Sequence, residues 1–522
     1  MPQNAVGRDI PEKVGGQTLQ PFRGAFAYTP SGRKAAPQLG YVASPERRNK
    51  SVQGIKKAMQ QVDLSDGMTI SFHHHFRDGD RVMNMVLQAA HELGLKNLTL
   101  APSSTFPCQE DMLLKSIQDG TVGYIEGGSY RGKIGEAVSG GAFNEPVRVR
   151  SHGGRARAVT AGDIHVDVAF IGAPASDYAG NCTGRFGRNA CGCIQYSVPD
   201  ALYGEKAVAV TDTLVEYPCM PAEISEQHID AVAVVDQIGD PEHIVSGTLR
   251  ITRSPTRLKI ARDAVHLAHA AGAIYDGSSF QAGAGGISLA FTKFLGELLE
   301  REGYVASWAM GGTTEYIVDI LHKQRVKKLL TGQAFDPAAI QSLQEDDNHH
   351  IVGIDHYSNL HGKGCLVNNL DVVVLGATEI DTSFNVNTVT FSNGVLAQPI
   401  GGHQDTAAGA ALTIITAPLM RGRLPIVVDD VTTVTTPGET IDALVTEYGI
   451  AVNPARDDLH DTLAGTDLNL VDIEDLKNLA YSRAGITRQK EPDWADDLAA
   501  LVEYRDGTII DVVPQINNLT TG

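Results

Sequence analysis

Short apolar runs alternate with longer amphipathic stretches along most of the chain. MTISF at 68–72 precedes RVMNMVLQAAHELGL at 81–95, which has a helical pattern, and NLTLA at 97–101 is again apolar. A strand, a helix and a second strand in this order predict a βαβ unit. Residues 274–312 repeat the order, and Gly303 replaces Gly94 as the residue that ends the helix.

A second pair of segments shows the same duplication. DVAFIGAPASDYAGN at 167–181 and DVVVLGATEIDTSFN at 371–385 match without a gap at six of fifteen positions. Each opens with a nearly continuous apolar run, which is typical of a strand buried on both faces of a parallel sheet. Each ends in a polar loop, and ligands bind at such loops. The long period indicates duplication of a whole domain.

These patterns predict an α/β protein with two duplicated domains, each a mostly parallel sheet flanked by helices. We place an N-terminal extension at 1–50, a first domain at 51–250 and a second at 251–522. The acidic tail beyond about residue 453 contains DDLHDTLAG and WADDLAALVEY, which we expect to be helical. Such helices are either a solvated surface or a face for a partner chain.

Charge and composition restrict the ligands. Lys and Arg number 43 against 62 Asp and Glu, a formal charge of -19, which argues against a nucleic-acid partner. An anionic substrate must therefore be held locally, by arginine, histidine or a helix N-terminus. No apolar run is long enough to span a membrane and no secretory signal is evident, so we expect a cytoplasmic protein.

Six cysteines in so long a chain do not predict a disulfide framework. Cys182, Cys191 and Cys193 cluster without the paired spacing of a zinc site. We interpret them as structural thiols, with a metal site as the alternative.

Three glycine-containing loops follow predicted strands. The first, at 281–286, can present backbone N–H groups to an anionic oxygen, although phosphate binding and a simple tight turn are alternatives. The second ends in Glu315, a carboxylate that could attack a thioester or could simply be solvated. The third feeds a predicted helix at 403. The candidate oxyanion or thioester donors are Gly283, Gly285, Gly286, Gly311, Gly312, Gly401 and Gly402.

The segment SFHHHFRDGD at 71–80 follows the strand that matches the 281–286 loop in the other half. Side chains alternate along an extended segment, so His73 and His75 could share a face while His74 points away. Three adjacent ligands suit one metal poorly. We therefore interpret His73, His75 and Arg77 as a donor wall for an anion, because guanidinium grips carboxylates in a bidentate manner.

Taken together, these motifs resemble the coenzyme A transferase superfamily. Its two related halves each carry a buried strand ending in a D-x-x-G-N loop, matched here at 177–181 and, with Phe384 in place of glycine, at 381–385. Within the superfamily, SFHHHFRDGD and GGHQDTAAGA look most like the citrate lyase alpha subunits. The resemblance covers most of the chain and implies that Asn181, Asn385 and His403 also lie at the substrate site.

The resemblance implies a citrate CoA-transferase, which exchanges acetate for citrate on an acyl carrier protein thioester. Its products are citryl carrier protein and acetate, and the partners it implies are the beta and gamma chains of citrate lyase in an oligomer. The thiol belongs to a CoA-derived group on the carrier, so no cofactor or metal bound by this chain is expected. Glu315 best matches the superfamily's glutamate, but a direct transfer through a mixed anhydride is the alternative to a glutamyl thioester.

Two rival functions remain open at this stage. One is a carrier-linked transferase for another acid, such as the alpha subunit of malonate decarboxylase. The other is a non-catalytic ligand-sensing regulator on the same fold, which the acidic charge and the lack of a basic helix-turn-helix segment argue against.

Overall fold

Two large sheets organise the protein. The structure is a computed structural model, and it describes residues 2–25, 27, 49–244, 250–517 and 519. The first sheet has seven strands, all parallel, in the spatial order Ser51–Gln53, Ala231–Val234, Lys206–Thr211, Val168–Gly172, Thr69–Phe72, Leu98–Pro102 and Val122–Ile125.

The second sheet has eight strands, and only the last pair is antiparallel. Their spatial order is His349–Ile351, Leu329–Ala334, Trp308–Thr313, Ser279–Ala282, Val372–Leu375, Leu412–Thr416, Ala443–Thr446 and Gly449–Val452. Most residues of the central strands are buried, as a parallel sheet covered by helices requires. The predicted α/β class with largely parallel sheets is confirmed.

Helices connect and cover the strands. The α-helices are Ile55–Gln61, Val82–Glu92, Pro107–Gln118, Gly132–Ser139, His152–Ala161, Val198–Tyr203, Pro255–Ala270, Gly286–Glu302, Glu315–His322, Pro337–Glu345, Ile354–Ser358, His403–Gly409, Asp457–Leu463 and Ile473–Ala484. Short 3-10 turns lie at Arg77–Gly79, Gln195–Ser197, Glu226–His228, Pro241–His243, Leu366–Asn369 and Gly438–Thr440. None of the described helices is long and apolar enough to cross a membrane.

The duplication is visible in the strand pairing. In the first sheet, Thr69–Phe72 lies between Val168–Gly172 and Leu98–Pro102, the second strand of its βαβ unit. In the second sheet, Ser279–Ala282 likewise lies between Val372–Leu375 and Trp308–Thr313. Each half also has a small three-stranded sheet beside the strand end. One consists of Ala175–Asp177, Cys182–Thr183 and Leu214–Val215, and the other of Glu379–Asp381, Val386–Asn387 and Val427–Val428. Both predicted βαβ units and the predicted repeat are confirmed.

The tail departs from the prediction in its last part. Helices Asp457–Leu463 and Ile473–Ala484 are present, but WADDLAALVEY is wrong as a helix, because Trp494–Glu503 is a strand. It pairs with Ile509–Ile516 and, in parallel, with Val147–Val149 of the first half. Helix-favouring residues are overridden here by pairing with distant strands, which the local sequence does not encode.

A buried ion network fixes this returning strand. Glu503 lies 3.0 Å from Nε of Arg150 and 2.8 Å from an Nη atom of Arg157. Burial alone would raise the pKa of Glu503, but the arginines outweigh it and lower the pKa to about 2. The end of the chain is therefore tied to the first half. The proposed domain limits stay predictions.

Candidate active site

The three adjacent histidines have different surroundings. Nε2 of His73 lies 3.5 Å from Oδ2 of Asp200, which itself accepts two hydrogen bonds from the guanidinium of Arg155. Burial lowers the pKa of His73 to about 3, although Asp200 opposes the shift. Nε2 of His75 donates to the carbonyl of Gly172 at 2.7 Å, and burial lowers its pKa to about 4. His73 and His75 are thus neutral and contact their own half.

His74, which the predicted wall left out, is the histidine that meets other elements. Its ring stacks on His152, with centroids 5.2 Å apart, and lies 4.4 Å from the ring of Tyr196. Its Nδ1 is 2.6 Å from Oγ of Ser103, and its carbonyl accepts a hydrogen bond from Gln333 of the second sheet. His74 therefore lies where the two halves join.

Two arginines lie beside this histidine, of which Arg77 is buried and Arg131 is half-buried. The guanidinium of Arg77 is 5.6 Å from the centroid of Phe106 and 4.6 Å from that of Phe335, a second-half residue. The guanidinium of Arg131 is 4.5 Å from Phe106 and donates to Oγ of Ser104. Nε of Arg131 has no hydrogen-bond partner among the described residues.

The electrostatics of this pair favour an anion. Burial lowers the pKa of Arg77 to about 10, and the charge of Arg131 adds to the shift. Burial also lowers the pKa of Arg131 to about 10. Two guanidinium groups that contact one aromatic ring repel each other. A carboxylate bound between them would offset both this repulsion and the cost of burying the positive charges. We call Arg77, Arg131, Phe106, His74 and His152 the junction cluster.

The second half supplies the opposite wall. The carbonyl of Gly401 accepts a hydrogen bond from the backbone N–H of His152 at 2.8 Å. A Cβ atom on Gly402 would lie 2.7 Å from the hydroxyl of Tyr357, which accepts a hydrogen bond from Gln281 at 2.9 Å. Gly401 and Gly402 are thus brought to the junction cluster.

Asp405 links this segment of the second half to the first half. Its carboxylate accepts hydrogen bonds from Oγ of Ser151 and from the backbone N–H of Gly153, at the N-terminus of helix His152–Ala161. A Cβ atom on Gly153 would lie 2.6 Å from both Asp405 and Ser358. Only glycine permits this approach, so the two halves meet closely here.

His403 lies beside this wall rather than in the junction cluster. Its Nε2 donates to the carbonyl of Gly376 at 3.0 Å, and its Nδ1 is 2.7 Å from Oγ1 of Thr436. Burial lowers its pKa to about 4. Gly376 is the repeat equivalent of Gly172, so His403 and His75 make the same contact in the two halves.

Within the glycine loop at 281–286, some backbone N–H groups are hydrogen-bonded inside the protein and others have no partner within the helix. The N–H of Gly283 is bonded to the carbonyl of Val374 in the neighbouring strand. Gly285 and Gly286 begin the 17-residue helix Gly286–Glu302, whose first turn has N–H groups without helical partners. These are the N–H groups of this loop that suit an oxyanion. A Cβ atom on Gly311 would touch Gln281, and one on Gly312 would touch Phe335.

Glu315 is exposed at the start of a helix. It is the first residue of helix Glu315–His322, and its N–H donates to Asp336. It lines a pocket of about 430 Å³ with residues of two helices and of the segment after the second, namely Lys293, Gly296, Glu297, Tyr316, Asp319, Ile320, Lys323 and Arg325.

Asn181 and Asn385 both organise their own loops. Asn181 donates to Asp177 and to Glu226, and accepts from the N–H of Glu226. Asn385 donates to Asp381 and accepts from the N–H of Gly438. Phe384 has a φ of 63° where Gly180 has 109°, so both loops turn through the left-handed region. Their hydrogen bonds hold the small sheets in place.

Several residues of the junction were not identified from the sequence. Arg131, His152, Tyr196 and Tyr357 come from separate segments of the chain and share no motif, whereas Gln281 opens the glycine motif at 281–286 without a role being assigned to it. Ser151 followed by His-Gly-Gly could have signalled a capped helix start, since Oγ of Ser151 accepts from the N–H of Gly154. Nothing local marks the others.

No group of three or more His, Cys, Asp or Glu within the described ranges could hold a metal ion. All six cysteines are free, and Cys182, Cys191 and Cys193 are buried. Burial raises the pKa of each of these three thiols. Sγ of Cys193 lies 3.2 Å from the carbonyl of Gly332, a packing contact between the halves.

Comparisons with known proteins agree with this architecture. The family model described as "Citrate lyase, alpha subunit (CitF)" matches residues 48–516. The citrate lyase alpha chain of Haemophilus influenzae is 43% identical over 485 residues, covering 93% of this chain and 96% of the relative. That of Klebsiella pneumoniae is 43% identical over 475 residues, covering 91% and 93%.

Solved structures extend the comparison. The alpha subunit of citrate lyase from Streptococcus mutans, solved in complex with citrate, has a TM-score of 0.91 and 42% identity, covering 98% of this chain and all of that one (100%). The malonate decarboxylase alpha subunit of Acinetobacter baumannii has a TM-score of 0.59 and 14% identity, over 84% and 91% of the two chains, and shares the fold. With a family model that spans nearly the whole chain, this protein belongs to the citrate lyase alpha subunit family.

Proposed function

We propose that this chain is the citrate CoA-transferase subunit of a citrate lyase. It would exchange acetate for citrate on the thioester of an acyl carrier protein, giving citryl carrier protein and acetate. The observation that carries the proposal is the pair of guanidinium groups of the buried Arg77 and the half-buried Arg131, over Phe106 at the junction of the halves. The relative from Streptococcus mutans was solved with citrate, a tricarboxylate that such a pair suits.

In this proposal the junction cluster holds citrate. Arg77 and Arg131 would bind one carboxylate, and the hydroxyl of Ser104, already bonded to Arg131, would fix its orientation. His152 is neutral because burial lowers its pKa to about 4, so it would offer a neutral ring nitrogen rather than a charge. The stacked ring of His74 and the edge-on ring of Tyr196 would hold the ring of His152 in place.

The acyl transfer would proceed directly. A carboxylate oxygen of citrate attacks the acetyl thioester carbonyl, the C–S bond breaks, and a mixed anhydride and a thiolate result. The thiolate then attacks the citryl carbonyl of the anhydride and acetate leaves, so no net proton is transferred. The open N–H groups at Gly285 and Gly286 would stabilise each oxyanion, a role in which loss of one donor costs about 2.7–4 kcal/mol.

Glu315 distinguishes this route from a glutamyl thioester. Its exposed side chain on the helical layer supports the direct route. We expect Glu315→Ala to keep kcat within about twofold of wild type, since an exposed surface substitution away from the reacting groups has little effect. Loss of activity, together with hydroxylamine-sensitive labelling of the wild-type chain by acetyl-CoA, would instead establish Glu315 as the nucleophile.

The proposed partners are the acyl carrier protein and a separate lyase chain, the gamma and beta chains of the assembly, in an oligomer. The reacting thiol would be that of a CoA-derived group on the carrier. This chain would then need no cofactor or metal of its own, and CoA would serve as a surrogate carrier.

An acceptor assay tests the function. Purified chain with acetyl-CoA should form citryl-CoA when citrate is added and should not transfer acyl groups to malonate. Arg77→Gln and Arg131→Gln should each lower kcat/KM for citrate about 10- to 150-fold, the effect of losing a charged hydrogen bond worth about 1.5–3 kcal/mol. Arg301→Gln, an exposed arginine on the outer helix, is the matched control. Transfer to malonate in place of citrate would contradict the proposal.

A further inference from the structure

One surface patch combines exposed apolar side chains with unpaired positive charge. Phe391, Leu424 and Ile486 are exposed to 45%, 55% and 37% and line the same cavity of about 650 Å³. Four cations line it with them, Arg421, Arg423, Arg488 and Lys490. We call these seven residues the basic apolar patch. Clustered apolar exposure of this kind marks an interaction site, whereas single exposed apolar residues do not.

The charge of the patch contrasts with that of the chain. The patch holds four cations, and the two acidic residues on the cavity wall are Glu491 and Asp493, in a protein of formal charge -19. None of the four cations forms an ion pair with another residue in the part of the chain that the structure describes. Arg421 instead donates to the carbonyl of Ala377 at 3.4 Å. Burial and the nearby Arg257 lower its pKa.

The patch adjoins the end of a central strand. Ala377 and Thr378 follow strand Val372–Leu375, and Thr378 lines the cavity. The preceding residue, Gly376, accepts the hydrogen bond of His403, which follows the Gly401–Gly402 wall of the junction. The carbonyl of Val374 in the same strand accepts from Gly283 of the glycine loop. A partner bound at the patch would therefore sit beside the loop that we assign to the thioester.

We propose that the basic apolar patch docks the acidic face of the acyl carrier protein. This inference rests on the proposed function and adds to it the surface that receives the carrier. A positive rim would steer a negatively charged partner and set its orientation, while Phe391, Leu424 and Ile486 supply the desolvated centre of the contact. The apolar centre favours a protein over a nucleic acid as the partner.

The test separates docking from chemistry by using two donors. The variant Arg423→Glu/Leu424→Asp changes two exposed residues of a hairpin, and acetylated carrier protein and free acetyl-CoA are each assayed with citrate. We expect KM for the carrier to rise about tenfold or more at low salt, with kcat/KM for acetyl-CoA unchanged. The effect should shrink as salt rises, because exposed charges are screened. Lys57→Glu/Leu93→Asp, on an exposed surface of the first half, is the matched control.

Each other outcome overturns a specific statement. An unchanged KM for the carrier would overturn the docking proposal, and so would an equal loss with both donors, which would place the hairpin in the acyl-transfer site itself. A change in oligomeric mass by sedimentation with carrier kinetics intact would identify the patch as a contact between copies of this chain. Wild-type protein that transfers from neither donor would overturn the proposed function, and the docking proposal with it.

Discussion

The two halves of the molecule share a topology but use it differently. In the first half, the loop after Thr69–Phe72 carries histidines and an arginine that are buried and held by side-chain contacts. In the second half, the loop after Ser279–Ala282 is glycine-rich and leads directly into a long helix. The first loop suits recognition of a carboxylate, and the second suits backbone N–H donation to an oxyanion. In the proposed function, the two duplicated halves therefore contribute different groups to one site.

The interactions that stabilise the two halves also differ in strength. The largest predicted effect tests this difference. Asp200→Asn leaves Arg155 buried without its carboxylate beneath His73, and breaking such a pair costs about 3–5 kcal/mol. For comparison, Asp336→Ala in the second half removes the cap of helix Pro337–Glu345 and should cost about 0.5–2 kcal/mol. Urea unfolding of both variants measures the difference. Equal losses would contradict the expected difference between a buried ion pair and a helix cap.

The next prediction concerns the two histidines that bond equivalent glycine carbonyls. His75 and His403 have folded pKa values of about 4, below the usual 6.5, because both are buried. Between pH 6.5 and 4 the unfolded chain binds a proton that the folded chain does not, so stability falls as pH falls through this range. Each histidine should contribute about 1.4 kcal/mol per pH unit within that range.

Replacing either histidine checks this equivalence. The slope of unfolding free energy against pH reports how many more protons the unfolded chain binds than the folded chain. His75→Gln and His403→Gln should each reduce this number by up to one, and by similar amounts. Urea unfolding at several pH values between 4 and 7 measures the slope. A slope change in only one variant would mean that the shared contact does not impose the same environment in the two halves.

The smallest effect comes from the equivalent glycines themselves. A Cβ atom on Gly172 would lie 2.6 Å from the ring of Phe76 and 3.1 Å from Val82, whereas Gly376 has open space around it. Gly172→Ala should therefore destabilise by about 1–3 kcal/mol through overpacking. Gly376→Ala should change stability by less than about 0.5 kcal/mol. A comparable loss in both would show that the glycines are required by the backbone rather than by space.

Much of the fold follows from local pattern. Both βαβ units, the helix ends at Gly94 and Gly303 and the duplication were predicted, because hydrophobic periodicity and glycine at a left-handed position are local properties. The strand Trp494–Glu503 was not, because its β structure depends on pairing with Val147–Val149, some 350 residues away in the chain. Ala, Leu and Asp residues give no local signal of that pairing.

The candidate site was predicted only in part. Arg77 was identified because guanidinium chemistry is visible in a sequence, and Gly401 and Gly402 because a glycine turn before a helix is local. A turn begins at His75, and this turn decides which of the three histidines faces the other half. As a result, His74 lies at the junction. Arg131 joins Arg77 through a shared aromatic ring, a contact between separate loops that no spacing indicates.

The sequence by itself determined the α/β class, the duplication, the acidic surface and the kinds of side chain available for binding a carboxylate and an acyl group. Those properties depend on composition and on neighbours within a few turns or strands. Only the tertiary structure decided which groups meet, because the junction cluster and the returning strand join residues that are far apart in the chain. Close approach at Gly153, where no Cβ atom fits against Asp405 and Ser358, then brings the two halves together.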